Sequence, residues 1–158
     1  MKDSLVHDVL RGGLAGLVAT APMTWAMRAG EQLVPWHRRG RLPPRQITER
    51  ILGEAGVERR LAEDERAAIT TLAHYGFGAS AGCVLGVVAS DLKVLPRPLA
   101  GALVGTLVWA ASYAGWLPAA GIRRNATEEP AGRNAQMIAA HLVWGCVAGA
   151  LLDRLSVD

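Results

Sequence analysis

The chain has 158 residues, a formal net charge of +3, and five Trp and eighteen Gly against one Phe and two Tyr. That length suits a single domain. Its 31 charged side chains avoid four stretches, Gly12 to Met27, Ala67 to Ser90, Pro98 to Ile122 and Asn134 to Leu152, which together hold 84 residues. A soluble helix must turn a polar residue to water every three or four positions, so these runs exclude an ordinary water-soluble domain.

A hydrocarbon core about 30 Å thick is crossed by roughly 17 to 25 helical residues. The four runs therefore predict an all-α polytopic membrane bundle. It has four transmembrane helices, about 12–30, 67–90, 98–120 and 134–153, with a polar amphipathic segment over 36–66. One integral membrane domain, 1–158, contains them all.

The first run is the shortest, at 16 residues. The two aspartates of "MKDSLVHDVLRGG" ahead of it, and Pro22 directly after the small residues "ATA", argue against a cleaved signal peptide. A retained span is expected, with Pro22 kinking it.

The segment that follows contains "PWHRRGRLPPRQITERILGEAGVERRLAEDER". Pro43 and Pro44 suit a first helical turn, and Ile47, Ile51 and Leu52 then share a face. Gly53 and Gly56 interrupt this helix, and a second, dense in alternating charge, is expected from about Val57 into the next span. Such a hairpin would lie on the membrane surface, with Trp36 at headgroup level and Arg38, Arg39, Arg41 and Arg45 reaching anionic lipid headgroups; the alternative is a solvated charged loop whose arginines only set topology. Acidic residues follow so closely that nucleic acid is not an expected partner.

The second and fourth spans carry the same phrase. "AHYGFGASAG" at 73–82 answers "AHLVWGCVAG" at 140–149, with Ala, His, an aromatic residue, Gly, Ala and Gly in register at an offset of 67. "GGLAGLV" in the first span and "PLAGALVG" in the third echo each other more faintly. Two parallel pseudo-repeats follow, each of span, polar loop and histidine-bearing span, so His74 and His141 should lie at similar depth.

Glycines four apart recur in every span: Gly12 and Gly16; Gly78, Gly82 and Gly86; Gly101 and Gly105; Gly145 and Gly149. In lipid, where helix pairing gains nothing from the hydrophobic effect, such stripes are packing surfaces that let backbones approach.

For chemistry, the two histidines admit two readings. They are polar glue between the halves, hydrogen-bonded across the bundle or to backbone, or they are axial ligands of a b-type haem, with adjacent glycines admitting the flat macrocycle. No catalytic residue and no metal spacing is assigned. Cys83 and Cys146 are small mid-span fillers. Ser80 in "GASAG" with a histidine on another span resembles the setting of rhomboid-type intramembrane serine proteases, which would imply a serine nucleophile. Ser80, however, lies about six residues deeper than His141, roughly 9 Å by helical rise, too far for the hydrogen bond between nucleophile and base. A small-solute transporter or channel working as an oligomer is a further alternative, although no carboxylate or amine lies within any span.

Lys and Arg are concentrated in the first and third loops, so the positive-inside rule places both termini outside the cytoplasm. The combination of "GLAGLVATAPM", "LPPRQITERIL" after a basic loop, and "AHLVWG" in the last span resembles small bacterial inner-membrane proteins of the YagU-like group. That resemblance implies an inner-membrane location and supplies no activity. The expected role is non-enzymatic: a scaffold or accessory subunit packed through glycine seams. Its partners would be the lipid bilayer and either further copies of itself or another membrane subunit. Haem b electron transfer is the alternative that would require a cofactor.

Overall fold

The computed structural model describes residues 2–33, 40–89, 91–92 and 94–156. Among them every regular element is helical: α1 (Lys2–Gln32), α2 (Pro43–Glu54), α3 (Glu63–Ala89), α4 (Arg97–Ala110), a π-helical stretch (Ala111–Trp116), α5 (Leu117–Ala119) and α6 (Ala131–Leu155). Short 3-10 turns lie at Glu58–Arg60 and Ala126–Glu128. Three segments are long and apolar enough to cross a membrane: Glu63–Ala89, Arg97–Ala119 and Ala131–Leu155. α1 is longer than any of them at 31 residues. Its uncharged middle is built largely of Gly, Ala, Thr and Met, with few Leu or Val, and that composition lowers its hydropathy.

Local chemistry sets the helix ends. α2 begins at Pro43, whose fixed φ suits a first turn and whose missing N–H would have had no helical partner there. It ends before Gly56, which takes φ +69°, a left-handed conformation natural to glycine after a helix. The charged helix expected from Val57 does not run into α3. Only one 3-10 turn forms at Glu58–Arg60, after which Leu61 is extended, with ψ 136°. α3 starts afresh at Glu63, and the Ala62 N–H donates to the Glu65 carboxylate at 2.7 Å. That single bond, half of a capping box, and the three acidic residues of the first turn mark a helix N-terminus.

Four long helical segments stand side by side in the order α3, α1, α6, α4. α1 packs along α3, α6 packs along α4, and α1 and α6 join the two pairs; α3 and α4 touch only lightly. The two outer pairings are glycine-lined. A Cβ built on Gly12 would collide with the Gly82 carbonyl oxygen and lie 2.7 Å from the Gly86 Cα; one on Gly16 would meet the Gly78 carbonyl and the Gly82 Cα. Across the molecule, a Cβ on Gly101 would strike the Gly145 carbonyl and approach the Gly149 Cα to 3.1 Å. One on Gly105 would strike the His141 carbonyl. At each of these places a side chain would have to occupy the space of the neighbouring backbone.

The α1–α6 contact is different in kind. There the Trp144 indole N–H donates to the Gly16 carbonyl at 3.0 Å, and the Gln136 amide donates to the Met27 carbonyl at 2.8 Å. The buried set is dominated by Gly and Ala, whereas Leu14, Leu17, Val84, Leu103, Leu107 and Leu142 point outward.

Candidate functional site

The weak α3–α4 contact leaves a space inside the molecule. A cavity of about 270 Å3 lies between α1, α3, the π-helical stretch and α6, with α2 across it. α1 contributes Thr20, Met23 and Met27, α2 its face from Pro43 to Ile51, and α3 the residues from Ala73 to Ala81. Ser112, Tyr113 and Trp116 come from the π-helical stretch, and His141 and Trp144 from α6. The four buried polar residues of the described chain, Thr20, Thr48, Ser112 and His141, all line it.

The π-helical stretch explains how Ser112 and Tyr113 reach this space. α4 runs regularly to Ala110, then widens over Ala111–Trp116, where Gly115 leaves helical geometry at φ −113° and ψ −105°. Such wide turns change the direction in which side chains project and are frequent at functional sites. Here the turn carries Ser112 and Tyr113 inward. Elsewhere in the helices, hydroxyls at Thr20, Thr24, Thr48, Thr70, Ser80 and Thr106 each donate to the carbonyl four residues back. Ser112 makes no such bond among the described residues; its oxygen accepts the Trp116 indole N–H at 3.3 Å.

His141 is buried, and its Nδ1 lies 2.8 Å from the Met137 carbonyl. A carbonyl oxygen only accepts, so Nδ1 carries the hydrogen and Nε2 is left with a lone pair. The Tyr113 ring meets the imidazole edge-on at 6.0 Å and stacks on Trp109 at 6.1 Å. The Arg123 guanidinium lies over the same ring, 5.5 Å from the Tyr113 centroid, a cation–π distance. Arg123 also donates to Gln46 of α2 at 3.0 Å and pairs with Glu129 at 2.8 Å, with only 4% of its side chain exposed. The ring at the cavity wall and the helix across the cavity are thereby tied to one cation.

His74 lines the same cavity from α3, and its Nε2 is buried without a hydrogen-bond partner. The two histidines lie 11 and 10 residues into their helices, which is roughly 15 Å of rise in each. Of the glycines near them, Gly78 faces the Thr20 side chain and Gly145 faces the Gly101 backbone, whereas Gly76, two residues beyond His74, borders open space. Ser80 is exposed on α3 and donates to the Gly76 carbonyl at 2.9 Å; it does not line the cavity. Cys83 is partly buried, its sulfur close to the position a Cβ on Gly13 would take, and Cys146 is exposed. Among the described residues no group of three His, Cys, Asp or Glu could hold a metal ion.

The basic segment divides. Trp36, Arg38 and Arg39 lie outside the described residues. Arg41 and Arg45 both donate to Glu49, Arg45 at 2.6 Å, and Arg45 also reaches Glu63 at α3 with 2.8 Å. The hydrogen bond that Arg45 donates to Glu49, opposed by burial and aided by Glu63, raises the Arg45 pKa further above its ordinary value. Burial pushes the Glu49 carboxyl up, but the hydrogen bonds and charges of Arg45 and Arg41 outweigh it and hold the group below the usual carboxylate range. Arg45 therefore fastens α2 to the start of α3, while Arg41 ties the approach to α2 back onto that helix.

Ser112, Tyr113, Trp144 and Arg123 carry much of this site, yet none stands out in the sequence as a site residue. The available signal was "ASYAGW" itself: a serine and a tyrosine in an uncharged run, followed by Gly115 and Pro118. No family model matches the chain, and neither a curated protein nor a solved structure is significantly similar to it.

Proposed function

We propose that the chain is an integral protein of a bacterial inner membrane that crosses it four times, α1 supplying the fourth span, and serves as a non-enzymatic scaffold or accessory subunit. The observation that carries this is the inverted distribution of residue size: Gly and Ala predominate among the buried residues, while most Leu and many Val face outward. In water that arrangement would expose the groups that most favour burial. In hydrocarbon it is stable, because lipid solvates Leu as well as protein does and helix pairing then depends on close approach.

The two pseudo-repeats are part of the proposal. The fold supports them through the register of its seams. Gly16 faces Gly78 and Gly82 as Gly101 faces Gly145 and Gly149, so the "LAG" of each first helix meets the same two glycines of the repeated phrase. Both seams are consumed within one protomer. A partner subunit, or a second copy, would therefore be met on outward Leu and Val ridges such as Leu14, Leu17 and Val18 of α1.

Cysteine labelling tests both location and topology. With Cys83 and Cys146 replaced by Ala, single cysteines at Ala55 and Asn125 should resist a membrane-impermeant maleimide in intact spheroplasts and react after lysis. A cysteine at Ser156 should react in both. Protein recovered in the aqueous fraction without detergent would sink the membrane reading. A lone monomer by light scattering in mild detergent, with no subunit copurifying, would sink the scaffold reading.

A further inference from the structure

The cavity is more specialised than a scaffold requires. The chain has twelve ring-bearing side chains in all, counting Phe, Tyr, Trp and His. Six of them, His74, Phe77, Tyr113, Trp116, His141 and Trp144, line this one space. Aromatic walls favour a flat ring, which they meet by offset stacking or edge-on contact. The volume fits one as well: about 150 Å3 suffices for benzene in an apolar cavity, and here there is about 270 Å3, room for a substituted single ring.

The polar atoms narrow the chemistry. Thr20 and Thr48 spend their hydrogens on carbonyls of their own helices, so they only line the wall. The Nε2 lone pair of His141 asks for a hydrogen-bond donor, whereas the hydroxyls of Ser112 and Tyr113 can donate to an oxygen. On the α3 side the buried Nε2 of His74 has no partner, and a buried polar nitrogen left unpaired is costly. An occupant must therefore be apolar over most of its surface, flat, and equipped with a hydroxyl.

The way in also has a character. Phe77 on α3 and Trp116 on the π-helical stretch line the cavity and yet remain 47% and 40% exposed. They stand on the two segments that pack least closely, so the opening faces laterally, between helices, and would admit a molecule dissolved in lipid.

We propose that this cavity binds the phenolic or hydroquinone head of a lipid-soluble molecule, His141 Nε2 accepting its hydroxyl hydrogen while Ser112 and Tyr113 face its second polar position. The inference goes beyond the scaffold reading and does not depend on it, because a subunit is stoichiometric in a complex with or without a bound ring.

The test is equilibrium dialysis of radiolabelled 4-hexylphenol and hexylbenzene against the purified full-length protein in detergent, with protein-free micelles as the blank. Saturable binding near one phenol per chain is expected, about tenfold or more tighter than the hydrocarbon, the worth of one or two buried hydrogen bonds. His141→Phe keeps a ring but removes the acceptor; it should weaken the phenol about tenfold and abolish the preference. Ala81→Phe fills the space from α3 without touching a polar group and should abolish binding of both compounds. It decides the matter alone if His141→Phe does not purify as a monodisperse species. Non-saturable uptake, equal affinity for the two compounds, or binding unchanged in Ala81→Phe overturns the proposal. So does a Soret band in the purified protein that is lost in both His74→Ala and His141→Ala, because haem would then be the occupant.

Discussion

Two sides of the same bundle are built on opposite rules. Along the α1–α3 and α4–α6 seams the side chains have been removed so that backbones touch. Across the α3–α4 side the chain keeps Phe77, Tyr113 and Trp116, and the helices stand apart around a cavity. A seam without side chains has one way to pack and cannot yield to a larger residue. A gap lined by rings can take up a guest. Rigidity and capacity thus reside in different helix pairs, and substitutions should separate them.

The largest effect is expected where there is least room. Gly82→Leu would drive a side chain into the Gly12 carbonyl and the Gly16 Cα. Overpacking ordinarily costs about 1–3 kcal/mol because neighbours move aside. Here the neighbour is helix backbone, so a loss above about 4 kcal/mol is expected, enough to prevent folding. Gly145→Leu should do the same at the other seam. Both would be read from the yield of monodisperse protein in mild detergent. Normal yield and thermal midpoint for either variant would mean the seams are not packed as described.

A smaller effect is expected at the contact that joins the two pairs. Trp144→Phe removes the indole donor to the Gly16 carbonyl but leaves that oxygen the Thr20 hydroxyl. A loss of about 1 kcal/mol in a denaturing-detergent titration follows, in line with interhelical hydrogen bonds in membranes. A loss as large as that of Gly82→Leu would make the α1–α6 bridge, and not the seams, the main support.

Much of this division was legible in the sequence, and the reason is steric. Glycines four apart can mean little else in an uncharged run, and proline fixes its own φ, which is why α2 begins at Pro43. The two histidine-bearing phrases were legible in register at an offset of 67. What they face was not, because it depends on which helices are neighbours. Four uncharged runs do not reveal that α1 lies between α3 and α6, or that the α3–α4 side stays open. Nor did the pattern foretell the π-helical stretch, a one-turn change of pitch that brings Tyr113 beside His141. The break at Leu61 was missed because alternating charge reads as a helix, while the Ala62 cap that ends it depends on a single carboxylate, Glu65. Arg123 counted only as loop charge, although it joins Gln46 of α2 to the Tyr113 ring.

The helix across the cavity offers a pH-dependent way to open the gap while sparing the seams. In the fold, Arg45 and Arg41 hold the Glu49 carboxyl below the usual range despite its burial. As pH falls through about 4.3 the unfolded or detached segment takes up the proton first, so the contribution of this pair, complete above that value, declines toward the lower folded pKa. Protease nicking within 43–54 should therefore rise as pH falls from 5 to 3, while the seams keep the long helices intact. Glu49→Gln should show the raised nicking already at pH 7 and lose most of the acid dependence. Equal nicking at both pH values in the unaltered protein would mean that α2 is held without Glu49, by its apolar face, the Arg45–Glu63 pair and the Arg123–Gln46 hydrogen bond.

The smallest expected change completes the contrast. Gly76 is helical and exposed, and a Cβ built there meets nothing within 4 Å. It lies on the same helix as Gly82 but off the seam, so its missing side chain makes no close approach possible. Gly76→Ala should then gain the ordinary advantage of alanine in a helix, about 0.5–1 kcal/mol, seen as a modest rise in thermal midpoint. Two glycines six residues apart would respond to added carbon with opposite signs. If Gly76→Ala instead lowered the midpoint, that outward face would have to be covered in the intact protein. The unseen neighbour would then be pressing on α3 as closely as α1 does on the other side.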